Sequence, residues 1–343
     1  MKKLVILFLV GLTIAAIGAG GGYLYLQRFA ESPMAVSDSS TLDLLPGTSV
    51  SKLADNLAQR GWLESPKLLV LYTKWRGDTA RLRAGEYDIP ASITPKELLD
   101  LLIEGQVKLH TVTIVEGWTF RQMLEALHDQ QAIEPSLLGL SDEEIMSKLG
   151  YEGQHPEGRF FPDTYRFPKG SADTAILKQA YERMEGHLSE AWKERAENLP
   201  LDSPYDALTL ASIVEKETGL DSERPEIAGV FVRRLKKNMR LQTDPTVIYG
   251  MGDAYDGNIR RSDLTRDTPY NTYTRGGLTP TPIALPGLRS IEAVMHPAEG
   301  TSLYFVATGK GDGSHHFSDT LDEHERAVQR YLVELRKRRR QSQ

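Results

Sequence analysis

Two glutamates near the middle of the chain, Glu215 and Glu217, are the first candidates for acid–base chemistry. Both fall in the last turn of a helix that the pattern predicts between Ser203-Pro204 and Gly219. Side chains two positions apart on a helix point about 200° away from each other, so the two carboxyls cannot share one cleft. Glu217 prolongs the most apolar stripe of this helix, formed by Leu210, Ile213 and Val214. Glu215 prolongs a smaller and more polar stripe, formed by Leu208, Ala211 and Ser212.

A carboxyl at the end of a buried stripe loses hydration, and its pKa rises because the charged form is disfavoured. A raised pKa suits a general acid that works near neutral pH. By spacing alone, however, the plainer interpretation of Glu217 is favoured. In that interpretation it is a solvated acid at the helix end, paired with Lys216 or Arg224, since structural ion pairs are common.

A polar segment follows the next predicted helix, Glu223 to Lys237. The pair Asp244-Pro245 is typical of a helix start, so we expect Asp244 to be the N-cap of a short helix that runs through Tyr249. Gln242 and Thr243 lie in the loop that enters this helix, where they can offer neutral hydrogen bonds to a ligand.

The loop that contains Asn271 and Tyr273 is rich in residue types that bind sugars. Asn amides hydrogen-bond to hydroxyl and acetamide groups, and Tyr rings pack on the apolar faces of sugar rings. The same composition also suits a turn-rich loop in which both residues are structural.

Three histidines near the C-terminus, His315, His316 and His324, lie close in sequence to Asp319 and Glu323, a combination that invites comparison with metal sites. Their spacing matches no helical zinc motif such as HExxH. The chain has no Cys, which excludes thiolate zinc sites and thiol nucleophiles. We therefore expect hydrogen-bonding or structural histidines, and neither a metal nor a cofactor.

Helical and strand-like patterns alternate irregularly along the 343 residues, which predicts an α+β fold of about two domains. The clearest helix is an amphipathic segment from Ser171 to Ala196. Alternation predicts a strand from Lys108 to Val115, and an apolar run predicts a buried strand from Thr301 to Thr308. Residues 31–41 are small and polar and are predicted to form a linker.

The N-terminus carries two lysines and then an uncharged run from Leu4 to Leu26. A helix of this length spans about 34 Å, against about 30 Å for the hydrocarbon core of a bilayer. Because the lysines precede the run, the positive-inside rule predicts a single-pass anchor with the rest of the chain exported. A cleaved signal peptide ending near Ala19-Gly20 is the alternative, and it also exports the chain.

The overall composition narrows the class of protein. Hydrophobic residues make up 40% of the chain and charged residues 26%, which is ordinary for a globular protein and excludes a wholly disordered one. With 41 basic and 47 acidic residues the net charge is −6. A nucleic-acid-binding protein usually carries a basic balance, so no nucleic-acid partner is expected.

Six segments together resemble the YceG-like family of endolytic murein transglycosylases. The segments are IVEGWT (114–119), EGRFFPDTYRF (157–167), ASIVEKET (211–218), RLQTDPTVIYGMG (240–252), YNTY (270–273) and HHFSDTLDEH (315–324). The resemblance spans residues 42–335, and the stretch RLQTDPTVIYG is long enough to be highly specific.

The resemblance implies a cytoplasmic tip and transmembrane helix at residues 1–30, a LysM-like module at 42–107 and a mixed α+β catalytic domain at 108–343. It implies a single-pass protein of the cell inner membrane whose catalytic domain lies in the periplasm, near membrane-bound glycan polymerases such as penicillin-binding proteins. The implied activity is that of a carbon–oxygen lyase acting on peptidoglycan. Such an enzyme cleaves between N-acetylmuramic acid and N-acetylglucosamine within nascent strands, leaves 1,6-anhydromuramoyl ends and can terminate strand elongation.

The resemblance also implies a single catalytic glutamate, located in the IVEKET motif. Lytic transglycosylases place this residue just before Ser or Thr, which selects Glu217 before Thr218 and leaves Glu215 as the fallback. Glu217 is expected to act first as general acid and then as base. The residues predicted to bind the glycan are Gln242, Asp244, Tyr249, Asn271 and Tyr273.

Two other functions remain open at this point. A hydrolytic muramidase would use Glu217 together with Asp244 or Asp163 as the base. A non-catalytic scaffold would bind glycan without turnover, and its anchor and LysM-like unit would tether wall-synthesis proteins.

Overall fold

The computed structural model describes residues 2–341, with side chains described as far as Arg338. The chain divides into two compact units. Unit 1 contains the residues through His110 together with Arg166–Gly170, and unit 2 contains Thr111–Tyr165 and the residues from Ser171 onward. Both units mix helices with short strands, so the mixed helix and strand content predicted from the sequence is confirmed.

Unit 1 is built around one antiparallel strand pair and the helices that cover it. Its elements are α1 (Lys2–Glu31), β1 (Ser40–Leu44), α2 (Val50–Gln59), α3 (Pro66–Arg76), β2 (Gly85–Ile89) and α4 (Pro95–Glu104). β1 pairs with β2 so that Leu42 lies opposite Tyr87, and both side chains are buried. Residues 32–39 have no strand or helix, but Met34 and Val36 are buried in the core of this unit.

The helix α1 has the length and composition of a membrane span. It is a continuous helix from Lys2 to Glu31 with a mean hydropathy of 2.4 in its most apolar window. Its apolar residues from Leu4 to Ile17 are exposed, whereas Leu26 and Ala30 near its C-terminal end pack into the core of unit 1. The described residues contain no other helix that meets the same criteria.

Unit 2 is dominated by helices. The helices are α5 (Phe120–His128), α6 (Asp142–Leu149), α7 (Asp173–Lys193), α8 (Pro204–Glu217), α9 (Arg224–Lys236), α10 (Asp244–Met251), α11 (Arg261–Thr265), α12 (Leu288–Met295) and α13 (Leu321–Gln341). The strands that lie wholly within unit 2 are β4 (Ile133–Glu134), β6 (Ser171–Ala172), β7 (Tyr304–Ala307) and β8 (His315–Ser318), whereas β3 (Leu109–Thr113) and β5 (Thr164–Pro168) each include residues of both units. They pair as β3 with β5, β4 with β6 and β7 with β8.

The central helix of unit 2 is α8. Ser203 caps it by accepting a hydrogen bond from the backbone of Asp206, and Pro204 occupies its first turn. Every residue from Ala207 to Val214 is buried, and α7, α9 and α12 pack around it. A helix that is buried on all sides is held by core packing rather than by one amphipathic face.

The other sequence predictions in unit 2 have mixed outcomes. The amphipathic helix predicted from Ser171 is confirmed as α7, although its first two residues form β6. The strand predicted from Thr301 to Thr308 exists as β7, but the expectation that it is buried is wrong. Its four side chains are all half-buried, because β7 lies along a cavity instead of inside a core.

Candidate active site

Glu217 is the last residue of α8, and it lies where the buried helix meets a cavity. The helix ends there because Thr218 is extended, with φ −143° and ψ 137°. The hydroxyl of Thr243 donates a hydrogen bond to Glu217 Oε1. Neither Lys216 nor Arg224 pairs with Glu217, since Lys216 donates to the carbonyl of Gly117 and Arg224 binds other carboxylates.

The environment of Glu217 favours the neutral acid. Burial raises its pKa from an ordinary value of 4.5 to about 7, and the negative charge of Asp244 acts in the same direction. The hydrogen bond from Thr243 and the nearby His315 oppose this increase. A carboxyl with a pKa near 7 can donate a proton at neutral pH and take one back when it is ionised.

Glu215 has a different environment, although it is only two residues away. Its side chain is 6% exposed and accepts hydrogen bonds from Arg224 at 3.2 Å, from the backbone of Gly287 at 3.0 Å and from the hydroxyl of Ser290 at 2.6 Å. The stripe of α8 that Glu215 continues is buried, as is every residue of this helix from Ala207 to Val214. Glu215 fastens the N-terminus of α12 to α8 and does not line the cavity.

The cavity beside Glu217 has a volume of about 480 Å³. It is formed where the end of α8 and the loop before α10 meet the β7–β8 pair and the start of α13. The residues that line it are Glu217, Arg234, Leu241, Gln242, Thr243, Asp244, Tyr273, Tyr304, Phe305, Val306, Ala307, His315, Leu321 and His324. Its walls therefore combine aromatic rings and hydroxyl, amide and imidazole groups with the charged side chains of Arg234 and Asp244, a composition suited to a polar ligand such as a sugar.

Three of the residues predicted to bind glycan line this cavity. Asp244 accepts a hydrogen bond from the hydroxyl of Tyr273 at 2.6 Å, which joins the two sides of the entrance. Gln242 has a φ of +54°, a conformation that few residues other than glycine adopt, and its N–H donates to the carbonyl of Thr272 at 3.2 Å.

Asp244 is not the N-cap that the sequence predicted. Thr243 is the N-cap of α10, and Asp244 is the first helical residue. The carboxylate of Asp244 binds Tyr273, and the hydroxyl of Thr243 binds Glu217, so neither side chain caps the helix. The residues of this loop make tertiary contacts at the cavity in place of the local bonds that are usual at a helix start.

The remaining two predicted residues, Asn271 and Tyr249, do not line the cavity. Asn271 is buried, and its amide donates to the carbonyls of the preceding turn, at 2.7 Å for Arg266. Its side-chain oxygen accepts the N–H of Tyr273 at 2.8 Å, so Asn271 shapes the loop that carries Tyr273. Asn271 therefore has the structural role in the loop that the sequence left open as an alternative to sugar binding. Tyr273, in contrast, lies at the cavity.

Tyr249 binds a third glutamate, Glu157. The hydroxyl of Tyr249 donates to Glu157 Oε2 at 3.1 Å, and the backbone of Phe120 donates to Oε1 at 3.0 Å. Glu157 is buried, and burial raises its pKa to about 7. Glu157 does not line the cavity beside Glu217. Its raised pKa is that of a buried carboxyl that connects α5 to α10 through hydrogen bonds.

His315 is a residue of the cavity that the sequence did not single out for glycan binding. Its backbone N–H and its Nδ1 both contact the carboxylate of Glu223, at 2.9 and 2.7 Å. With Nδ1 engaged in this way, Nε2 is the nitrogen available to a ligand. Because side chains alternate along a strand, His316 lies on the opposite face of β8, where it contacts Arg330 at 3.1 Å. That alternation was visible in the sequence as HHFS.

A larger cavity, of about 620 Å³, lies elsewhere in unit 2 between α7 and α12. It does not include Glu217, and Asp221 on its wall is paired with Arg224 and Arg289. Within the part of the chain that the structure describes, no three His, Asp or Glu side chains are arranged to hold a metal ion. The alternative base Asp163 is bound by Arg183 and does not line the cavity beside Glu217.

Comparison with known proteins supplies the family. The profile of the YceG-like family matches residues 42–330. The chain belongs to the YceG-like family. A relative from Bacillus subtilis, named endolytic murein transglycosylase, is 34% identical over 91% of this chain and 91% of its own length. A Streptococcus pneumoniae protein of the same name is 28% identical over 97% of this chain and 66% of its own length.

A crystal structure of a YceG-like protein from Listeria monocytogenes has a similar fold. It is 29% identical in sequence, with a TM-score of 0.54, and it covers 84% of this chain and 99% of its own. Membership of the YceG-like family, predicted from the sequence motifs, is therefore confirmed.

Proposed function

We propose that this YceG-like protein is a membrane-anchored endolytic lytic transglycosylase that cleaves peptidoglycan between N-acetylmuramic acid and N-acetylglucosamine. The observation that carries the proposal is Glu217, a glutamate with a pKa of about 7 at the wall of an open polar cavity. The names of its relatives from Bacillus subtilis and Streptococcus pneumoniae support the same substrate.

The first step of the proposed reaction is proton donation. Neutral Glu217 donates its proton to the glycosidic oxygen as the bond between that oxygen and C1 of the muramic acid breaks. The positive charge that develops at C1 and the ring oxygen is stabilised by the acetamide of the substrate and by neutral dipoles of the cavity. One general acid is enough for this step.

The second step closes a ring within the substrate. Glu217, now ionised, accepts the proton of the C6 hydroxyl while O6 attacks C1 and forms the 1,6-anhydro bond. Glu217 returns to its neutral form, and no water is consumed. A pKa near the working pH serves both steps, because the same group must release a proton and then recover it.

The other polar residues of the cavity have binding roles in this proposal. Gln242 and Nε2 of His315 offer hydrogen bonds to the sugar hydroxyl and acetamide groups, and the ring of Tyr273 offers a flat apolar surface. Asp244 keeps the pKa of Glu217 high and holds Tyr273 in place. Asn271 and Tyr249 act indirectly, by shaping the loop and helix that carry these residues.

The location and the finer biology are part of the same proposal. We infer that α1 anchors the protein in the inner membrane and that unit 2 works on the periplasmic side. Unit 1 is proposed to contain the LysM-like module, and cleavage of nascent strands is proposed to terminate their elongation. The protein partners would then be membrane-bound glycan polymerases.

A hydrolytic muramidase is the second candidate, because Asp244 also lies at the cavity and could activate a water. The two reactions differ in their products. Nascent, uncrosslinked glycan strands are digested with the full chain in water enriched in ¹⁸O, and the new ends are analysed by mass spectrometry. Transglycosylation predicts anhydro ends without label, whereas hydrolysis predicts reducing ends that carry one labelled oxygen.

Two controls complete this experiment. The Glu217→Gln variant is expected to give no new ends, which would tie the products to the proposed acid. If the wild-type chain binds the strands but forms no new ends at all, the protein is a glycan-binding scaffold and the catalytic proposal is wrong.

A further inference from the structure

The outer face of α3 in unit 1 presents a stripe of exposed side chains with unusual composition. Lys67, Leu71, Lys74 and Trp75 are spaced four, seven and eight positions from the first, so they lie on one side of the helix. Leu71 and Trp75 are each 54% exposed. The opposite side of α3 is packed into the core of unit 1 through Leu69 and Tyr72. We call these four exposed residues the α3 stripe.

The α3 stripe lies beside the C-terminal part of α1. The ring of Trp75 packs edge-on against the ring of Tyr23, with 5.6 Å between their centroids, and also contacts Tyr72 at 6.0 Å. Leu26 and Ala30, farther along α1, are buried in the core that α3 helps to form. These contacts hold the stripe at one level along α1, within unit 1 itself.

That level coincides with one edge of a bilayer. A helix rises about 1.5 Å per residue, so the apolar run that begins at Leu4 has crossed a hydrocarbon core of about 30 Å when it reaches Tyr23. Tyr and Trp are enriched at this boundary, because one side of each ring is apolar and the other carries a polar group. Trp75 therefore lies where an interfacial aromatic residue is expected, although it belongs to a different helix from the span.

The charge of α3 fits the same location. The helix contains no acidic residue, and its two lysines, Lys67 and Lys74, both belong to the stripe, whereas Arg76 is paired with Asp78 and Asp100. Lysine side chains near a membrane can extend their ammonium groups to lipid phosphates while their methylene groups stay in the apolar layer. One Leu and one Trp beside two Lys on the exposed side of a helix are residue types that an interfacial helix presents to a lipid surface.

We propose that the α3 stripe is a second membrane contact, in which Leu71 and Trp75 enter the outer leaflet beside α1 and Lys67 and Lys74 bind anionic lipid headgroups. The proposal rests on the membrane anchor inferred above. It adds that unit 1 is fixed against the lipid surface by two helices, so that it cannot turn freely on a single tether.

The test uses the absence of Cys from the chain, which leaves no background thiol. The full chain with Leu71→Cys is reconstituted into phosphatidylglycerol–phosphatidylcholine vesicles and treated with a maleimide that does not cross membranes. The matched control is Leu45→Cys, since Leu45 is 60% exposed in the same unit but lies outside α3. We expect Leu71→Cys to react about fivefold or more slowly than the control, because lipid covers the stripe.

Fluorescence provides a readout that needs no cysteine. The chain has four Trp residues, and replacing Trp62, Trp118 and Trp192 by Phe leaves Trp75 as the reporter. Spin labels near the lipid headgroup are expected to quench Trp75 more strongly than labels at the end of the acyl chain.

The possible outcomes separate the two proposals. If the chain floats with the vesicles but Leu71→Cys reacts as fast as Leu45→Cys and Trp75 is not quenched, the lipid contact is wrong and the anchor stands. If the stripe is protected only in native membranes and not in these vesicles, it binds a protein and the lipid assignment is overturned. If the chain does not float with the vesicles, both the anchor and the second contact are wrong.

Discussion

Thr243 donates a hydrogen bond from its hydroxyl to Oε1 of Glu217, across 26 residues of sequence. The contact joins the end of α8 to the start of α10 and aims the carboxyl at the cavity wall. The next residue, Asp244, acts in the opposite direction on the same group. Thr243 stabilises the charged form of Glu217, and the negative charge of Asp244 destabilises it. The pKa of Glu217 is about 7 because burial and the charge of Asp244, which raise it, outweigh the hydrogen bond from Thr243, which lowers it.

The first prediction concerns the pH dependence of cleavage. The proposed acid must be protonated to act, and the pKa of Glu217 is about 7. We expect the rate on nascent strands to be constant at acidic pH and to fall about tenfold per pH unit well above pH 7. Initial rates measured between pH 5 and pH 9 show where this decrease in rate begins and how steep it is. A rate that keeps rising through pH 8 would exclude Glu217 as the acid.

The second prediction uses two variants that should shift the pH at which the cleavage rate falls, in opposite directions. Asp244→Asn removes a negative charge that raises the pKa of Glu217, so the cleavage rate should begin to fall at a lower pH. Thr243→Val removes a hydrogen bond that lowers this pKa, so the cleavage rate should begin to fall at a higher pH. Each variant is compared with the wild-type profile on the same substrate. Shifts of the same sign in both would contradict the assignment.

The third prediction separates the two glutamates of α8. Glu217→Gln should lower cleavage at least about 100-fold while the protein stays folded. Glu215→Gln should leave the folded molecules active but lower the free energy of unfolding by about 2 kcal/mol, because the buried hydrogen bond from Arg224 loses its charged acceptor. Cleavage assays and urea unfolding are carried out on both variants. Full activity in Glu217→Gln would move the chemistry to another residue.

The fourth prediction concerns stability. The pKa of Glu217 is higher in the folded chain than its ordinary value of 4.5, so the folded state holds this proton more tightly. The resulting stabilisation is complete below pH 4.5 and is lost as the pH rises through about 7. The full effect is about 3 kcal/mol at most.

Urea unfolding of the full chain at pH 5 and pH 8 measures this effect. Glu217→Gln removes the titrating group, so its stability should fall less between the two pH values than that of the wild type. The exposed Glu197→Gln variant is the control and should behave like the wild type. An unchanged pH dependence in Glu217→Gln would mean that this carboxyl is solvated.

The fifth prediction concerns the two neighbouring histidines of β8. His315→Gln should lower kcat/KM about tenfold, because the cavity loses the ring nitrogen proposed to bind substrate. His316→Gln is the matched control, since His316 lies on the opposite face of the strand and contacts Arg330. Equal losses in both variants would indicate a structural effect on the β7–β8 pair rather than a binding role.

Local patterns of the chain were sufficient for the helix that carries the proposed acid. The cap formed by Ser203, the proline after it and the glycine just beyond the other end, Gly219, can all be recognised from nearby residues, whereas the extended backbone of Thr218 was seen only in the structure. The apolar run of α1 and the family motifs could be read in the same way. These features depend on contacts within a few residues, which a sequence pattern records directly.

The choice between Glu215 and Glu217 could not be derived from local spacing, because α8 is buried on every side. It depends on partners far away in the chain. Gly287 and Ser290 engage Glu215, whereas Thr243 and the cavity lie beside Glu217. The family motif selected Glu217 without this physical reason.

The residues predicted to bind glycan illustrate the same limit. Asn271 and Tyr273 are two positions apart in one loop. The amide of Asn271 is hydrogen-bonded to backbone groups, whereas Tyr273 lines the cavity. His315 meets Glu223 across 92 residues, and no local pattern encodes that pairing. Several helices, the candidate span and the family could be inferred from the order of the residues alone. Which polar side chains face the cavity and which are used internally depends on hydrogen bonds between distant segments, so this division became visible only in the folded chain.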